Sequence, residues 1–124
     1  MTKSKVMIVE DEYIISADLR ERVELLGYQV CGQTASGEEA VRLAKQERPD
    51  SILMDVVLCG RMDGIEAARQ IRTDLNIPII FLTAYMDEKS LERAQAVKPS
   101  GLLFKNCLDV ELQAALESAC SEVG

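Results

Sequence analysis

The chain has 124 residues, enough for one domain with a single core, and its 48% hydrophobic and 28% charged content is ordinary for a soluble globular protein. A net charge of −7, no cluster of Arg and Lys, and only 4% aromatic residues argue against sequence-independent nucleic-acid binding, which needs a basic face to displace counterions. Histidine is absent, which excludes every mechanism needing an imidazole base, and no apolar run approaches the ~18 residues of a membrane span.

Met1-Thr2-Lys3-Ser4-Lys5 leads straight into an apolar run rather than a signal-peptide core, so a cytoplasmic location is expected. Cys31, Cys59, Cys107 and Cys120 form no C-x-x-C pair, and reduced, mostly structural thiols are expected. In chain order, apolar or β-branched runs predict strands at Val6–Val9, Tyr28–Gln33, Ile52–Asp55, Pro78–Leu82 and Leu102–Phe104. Between the first two, Ile15, Leu19, Val23 and Leu26 share one helical face, with Gly27 as its stop. Ser36 with Glu39 forms a capping-box pattern ahead of Ala40, Val41 and Ala44, and that helix must end before Pro49. Asp63 with Glu66 repeats the pattern ahead of Ile65, Ala68, Ile71 and Leu75. Leu91, Ala94 and Val97 give a weaker fourth helix; Leu112, Ala115, Leu116 and Ala119 give a clean fifth, with Asp109 near its start.

Five βα units in series predict an α/β fold: a doubly wound, five-stranded parallel sheet with five helices on its two faces. Without linkers, repeats or low-complexity stretches, residues 1–124 read as a single domain with no output domain. In such a sheet ligands bind outside the carboxyl ends of the strands, where the winding reverses, and the order 2-1-3-4-5 places that point between strands 1 and 3.

Polar residues end the predicted strands at that edge. Glu10 and Asp11 follow strand 1, Asp55 closes strand 3, Thr83 follows strand 4 and Lys105 follows strand 5. Neighbouring carboxylates repel, so some must hold protons or a cation must bind; Mg²⁺, or Mn²⁺ in its place, suits an oxygen donor set. Beside a metal, ionised Asp55 can attack phosphorus to give an aspartyl-phosphate, with Lys105 neutralising one phosphoryl oxygen and Thr83 donating to another. Each residue also has a bland reading. Asp11 can cap the first helix, Glu10–Glu12 can be a solvated acidic turn, Asp55 an ordinary strand-end acid, Thr83 a core residue and Lys105 a surface charge. The joint placement at one strand edge favours the site.

The chain resembles the receiver domain of two-component response regulators over essentially all its length. The residues carrying the likeness are Val9-Glu10-Asp11-Glu12, Ile52-Leu53-Met54-Asp55, Met62-Asp63-Gly64-Ile65-Glu66-Ala67-Ala68, Leu82-Thr83-Ala84 and Lys105. The resemblance implies a flavodoxin-like fold and phosphorylation of Asp55 by a sensor histidine kinase or phosphotransfer protein in trans. It further implies Mg²⁺ held by Asp11 and Asp55, by Glu10 through water, and by the backbone carbonyl of Val57. Thr83 and Lys105 would then sense the phosphoryl group and draw in the loop after strand 4, changing a face around the fourth helix, strand 5 and the fifth helix. The receiver of that signal would be a downstream protein or an output domain, and a homodimer through the fourth-helix face is compatible with it.

Three departures stand out. Asn106 occupies the place of a proline that usually follows the lysine in a cis peptide; a non-proline cis bond costs about 3–4 kcal/mol, so either the bond is trans with a different loop or strain is retained. The usual signalling aromatic falls at position 102, where this chain has Leu102; Phe104 shares that strand face and is expected to fill the core, and Tyr85 is the nearest other aromatic. Val57 and Tyr85 flank the expected line of water attack without being evident activators, which predicts slow self-dephosphorylation. A phosphohydrolase is disfavoured because Val57 stands where its general acid/base would be, and a nucleotide-binding site because Glu10-Asp11-Glu12 replaces a glycine-rich turn. A phosphorylation-independent pseudo-receiver that works by protein contacts alone is the alternative to the switch.

Overall fold

The structure, a computed structural model, describes residues 4–85 and 87–121. Its elements alternate: β1 (Lys5–Val9), α1 (Tyr13–Leu25), β2 (Gln29–Thr34), α2 (Gly37–Glu47), β3 (Ser51–Asp55), α3 (Gly64–Asp74), β4 (Ile79–Thr83), α4 (Glu88–Ala96), β5 (Gly101–Phe104) and α5 (Asp109–Ser121). All strand pairs are parallel, in the order β2-β1-β3-β4-β5. β1 therefore has its sequence successor β2 on one side and β3 on the other, which puts the reversal of winding at the β1–β3 crevice.

Alternation along the strands distributes side chains to two cores. Met7, Val9, Ile52, Met54, Ile79 and Phe81 point to the face covered by α2, α3 and α4, where Ala40, Ala44, Ala68 and Ala94 allow close approach. Val6, Ile8, Leu53, Ile80 and Leu82 point to the opposite face and meet Leu19 and Val23 of α1 with Leu112, Leu116 and Ala119 of α5. Each such Leu, Ile or Phe contributes about 1.5–3 kcal/mol by leaving water. The central strands are covered on both faces, so β1, β3 and β4 are nearly continuous apolar runs, whereas the edge strands β2 and β5 stay half exposed.

The helix starts follow their caps. Ser36 Oγ accepts from the Glu39 amide at 3.1 Å, and Asp63 Oδ1 accepts from the Glu66 amide at 2.8 Å. The Glu39 carboxylate turns instead to Arg42, at 2.9 Å, leaving half a capping box. α1 is capped by Glu12 without a side-chain hydrogen bond, so Asp11 is not its cap. Gly27, at φ 98°, and Arg48, at φ 49° just before Pro49, end α1 and α2 as the sequence indicates.

Two expectations change. The boundaries of β2 and β4 move one residue toward the carboxyl end, to Gln29–Thr34 and Ile79–Thr83, because ladder partners rather than the apolar run fix the ends. Phe104 does not fill the core: it is 59% exposed beside Leu102 at 40%, both on the outer face of the edge strand, while Leu103 packs inward against α5. No peptide bond among the described residues is cis, so Lys105–Asn106 is trans.

Candidate active site at the carboxyl edge

β1 delivers Glu10 to the crevice, tied at its amide to the Thr34 carbonyl at 3.0 Å. Its carboxylate is buried; Oε2 accepts from the Glu12 amide at 2.9 Å. Asp11 points outward, and its Oδ2 accepts from the Cys59 amide in the β3–α3 loop at 3.0 Å. β3 ends in Asp55, only 2% exposed; its Oδ1 accepts from the Val57 amide at 3.2 Å and its Oδ2 from Lys105 Nζ at 3.0 Å.

Lys105 sits at the far side of the same edge, its amide bonded to the Thr83 carbonyl at 2.9 Å. Its ammonium lies 3.0 Å from Glu10 Oε1 and 3.2 Å from Glu12 Oε1, so three carboxylates converge on one cation. The structure thus brings Glu10, Asp11, Asp55 and Lys105 together. Thr83 is buried at the same edge, but its hydroxyl is engaged elsewhere, donating to the Tyr85 carbonyl at 2.7 Å and accepting from the Tyr85 amide at 3.2 Å. An open cavity of about 400 Å³ lies over these groups, lined by Asp55, Val57, Thr83, Tyr85 and Lys105 among others. Val57 and Tyr85 are its exposed rim.

Burial dominates the electrostatics. It pushes the Glu10 carboxyl up to about 7, against the hydrogen bond from the Glu12 amide and the attraction of the Lys105 ammonium. It also raises Asp55, again against the pull of Lys105 and the Val57 amide. The ammonium of Lys105 responds oppositely: desolvation alone would lower it, but its ion pair with Glu10 and its hydrogen bond to Asp55 win, and it is held above the usual range. Burial raises the Asp11 carboxyl too, but the two Cys59 contacts together outweigh it and hold it below the ordinary range.

The donor set fits a hard divalent cation. Glu10, Asp11 and Asp55 each offer one oxygen, all within 4.8 Å of one another. Glu10 Oε1 is buried and accepts no hydrogen bond, because the nearby Nζ approaches it without hydrogen-bond alignment. A buried oxygen that accepts no hydrogen bond and lies beside two further carboxylates is a position that a metal would satisfy.

Some contacts have no signature in the sequence. The Cys59 and Val57 amides orient Asp11 and Asp55, and backbone donors carry no residue code. Glu12, readable as a solvated turn residue, reaches Lys105. Gly64 is partly legible through Met62-Asp63-Gly64: its amide bonds the Val56 carbonyl at 2.9 Å, and a methyl there would collide with the Asp55 carbonyl oxygen.

A flavodoxin-like sheet with an acidic crevice at its reversal point and a lysine facing it defines a class of phosphoryl- and metal-handling α/β domains. The family model for the response regulator receiver domain matches residues 6–117, and the chain belongs to that family. It is 38% identical over 117 residues to the transcriptional regulatory protein PdtaR of Mycobacterium tuberculosis, covering 94% of this chain but 57% of PdtaR. The chain thus spans little more than half the length of this curated relative. Among solved structures, the signal receiver domain of a modulated diguanylate cyclase from Desulfovibrio desulfuricans superposes with a TM-score of 0.91 at 42% identity, over 95% of this chain and 94% of that one. The receiver domain of a sensor histidine kinase of Pseudomonas aeruginosa, with a magnesium ion in its active-site cleft, gives 0.86 at 32% identity, over 98% and 99%. Residues 6–117 form a response-regulator receiver domain. Among the described residues no helix is long and apolar enough to cross a membrane.

Proposed function

We propose that this receiver takes a phosphoryl group onto Asp55 from a phosphohistidine of a sensor histidine kinase or phosphotransfer protein. The observation that carries the reading is the buried Asp55 carboxylate, held by Lys105 at 3.0 Å, with Glu10 and Asp11 within metal-sharing distance. The donor's N–P bond breaks as an Asp55 O–P bond forms; the imidazole leaves with the electron pair and takes a proton from solvent. No residue of positions 1–124 can be that donor, since none is a histidine.

Bound Mg²⁺ (or Mn²⁺) held by Glu10, Asp11 and Asp55, and by the Val57 carbonyl that the family resemblance implies, supplies charge neutralisation for the phosphoryl oxygens. Lys105 keeps Asp55 ionised before transfer and pairs with a phosphoryl oxygen afterwards. Thr83 gives up the Tyr85 carbonyl and donates to a second oxygen, which frees the β4–α4 loop at Tyr85. Signal passes to a downstream protein or an output domain across the face formed by α4, β5 and α5, where Leu102, Phe104, Leu108 and Val110 are exposed. The same face would serve a homodimer. No ring occupies position 102, so the output uses some movement other than an aromatic swing there. The domain acts in the cytoplasm and works as one unit, catalysing its own phosphorylation and slow dephosphorylation.

The test is incubation with acetyl phosphate, with and without Mg²⁺, read by intact mass beside Asp55→Asn. A Mg²⁺-dependent gain of one phosphoryl group that Asp55→Asn abolishes is expected. A folded protein that gains none is a pseudo-receiver.

A further inference from the structure

We infer that Arg22, two helical turns and more along α1 from the crevice, is a positioning residue for Lys105, fixing the turn from which the lysine reaches Asp55. The inference deepens the phosphoacceptor reading and rests on it for its kinetic arm.

Lys105 and Asn106 are the central residues of a tight turn closed by the Cys107 amide on the Phe104 carbonyl at 3.0 Å. Neither central residue is a proline, and the backbone there has no ring to fix it. On the incoming side the turn is held by the sheet, through the Lys105 amide and the Thr83 carbonyl. On the outgoing side the Leu108 amide is taken by Glu111 Oε1 at 2.8 Å, which ties α5 to itself but to nothing beyond it.

Cys107 and α5 also pack on the core, but the polar link from this stretch to α1 is Arg22. Its Nη2 donates to the Cys107 carbonyl at 2.7 Å, and its Nε to Asp109 Oδ1 at 2.6 Å. Nη2 also lies 4.0 Å from Cys107 Sγ, and Nη1 stands 3.9 Å from Asp18 Oδ2. The side chain is only 16% exposed, so these charge-assisted bonds are partly sheltered from water. A planar fork bonded to both ends of Cys107–Asp109 restricts the direction of the turn as well as its distance.

α1 therefore grips the lysine at two points. At its start Glu12 meets the ammonium, and three turns on Arg22 holds the base of the loop that carries it. A long, flexible lysine stem can present its charge to Asp55 reproducibly only if that base is fixed.

The test compares wild type, Arg22→Met and Arg22→Lys, each with and without Lys105→Met. The first readout needs no phosphoryl transfer: the ¹H–¹⁵N signal of the Lys105 ammonium, assigned by its loss in Lys105→Met. It should be sharp in the wild type and broadened or shifted in Arg22→Met, while backbone signals of α2 and α3 stay in place. The second readout is the rate of Mg²⁺-dependent phosphorylation by acetyl phosphate, expected to fall about tenfold in Arg22→Met and less in Arg22→Lys. With Lys105 already replaced, Arg22→Met should change the rate by less than about twofold. Should Arg22→Met fail to fold, Arg22→Lys, which keeps the charge and loses the fork, carries both readouts. An unchanged ammonium signal overturns the inference, as does an equal rate loss with and without Lys105. A wild type that takes no phosphoryl group sinks the acceptor reading instead, and the ammonium signal then decides the role of Arg22 alone.

Discussion

Glu10 and Lys105 form a buried ion pair, Nζ 3.0 Å from Oε1, in which the glutamate side chain has no solvent exposure and the lysine 12%. The same ammonium neutralises Asp55, so one cation serves two buried carboxylates. Breaking such a pair from one side is costly, because the charge left behind keeps its desolvation penalty and loses its partner.

Lys105→Met should therefore destabilise the metal-free domain by about 3 kcal/mol at pH 8, measured by urea unfolding. At pH 5 the loss should be smaller, since a freed Glu10 or Asp55 can take up a proton. An equal loss at both values would mean that packing of the lysine stem, and not its charge, is what the mutation removes.

The Glu10 carboxyl, raised from the ordinary 4.5 to about 7, binds a proton more tightly in the folded chain than in the unfolded one. Its contribution to stability is complete below pH 4.5 and is lost as the pH rises to about 7; Asp55, also raised, acts in the same direction. Metal-free protein should lose roughly 1–3 kcal/mol across that window, and Glu10→Gln should flatten the profile. Mg²⁺ needs the ionised carboxylates, so saturating Mg²⁺ should raise the melting temperature at pH 7.5, with little effect at pH 5 and little in Asp11→Asn. A Glu10→Gln profile as steep as the wild type would assign the slope to other groups.

Gly64 faces the Asp55 carbonyl with no room for a methyl group. Gly64→Ala must push α3 away from the end of β3, and a loss of about 2 kcal/mol or more is expected in thermal or urea unfolding, with slower phosphorylation as Asp55 shifts. Gly27 gives a contrast: a side chain there meets nothing within 4 Å, and only its φ of 98° opposes substitution. Gly27→Asn should cost far less than Gly64→Ala; equal costs would show that α3 relieves the approach to Asp55 without strain, since Gly64 itself has no positive φ.

What the sequence makes legible follows from which groups carry the information. β1, β3 and β4 stand out because strands covered on both faces must be apolar throughout, and the first polar residue after each run necessarily lies at the carboxyl edge. The edge positions of Glu10, Asp55 and Thr83 follow from that rule; that of Lys105 follows only from the short apolar run before it. β5 is a four-residue edge strand, and alternation correctly pairs Leu102 with Phe104 on one face without telling whether a helix covers that face. None does, and Phe104 is exposed. The support of Asp11 by the Cys59 amide is invisible because any residue has an amide, and the reach of Arg22 to Cys107 joins positions 85 residues apart on separate helix and loop. Amphipathic patterning reports which face is buried, not which neighbour a half-buried arginine will find.

The lifetime of the phosphorylated state depends on the rim of the cavity. Water attacking phosphorus on Asp55 must enter past Val57 and Tyr85, which are exposed and line the opening. Val57 has no side-chain group that can orient or deprotonate water, and no histidine exists anywhere in the chain to do so. Under the phosphoacceptor reading, the phosphoryl group should persist well beyond seconds once donor is removed, followed by intact mass. Val57→Asn, which adds a polar group at the rim without entering the carboxylate cluster, should shorten that lifetime several-fold by holding water near the line of attack. Val57→Ala should not lengthen it, because valine has no polar group to remove, and Tyr85→Ala should not if the ring acts at the rim only as bulk. Rapid loss in the wild type that slows in either alanine variant would show that these side chains hold the attacking water after all.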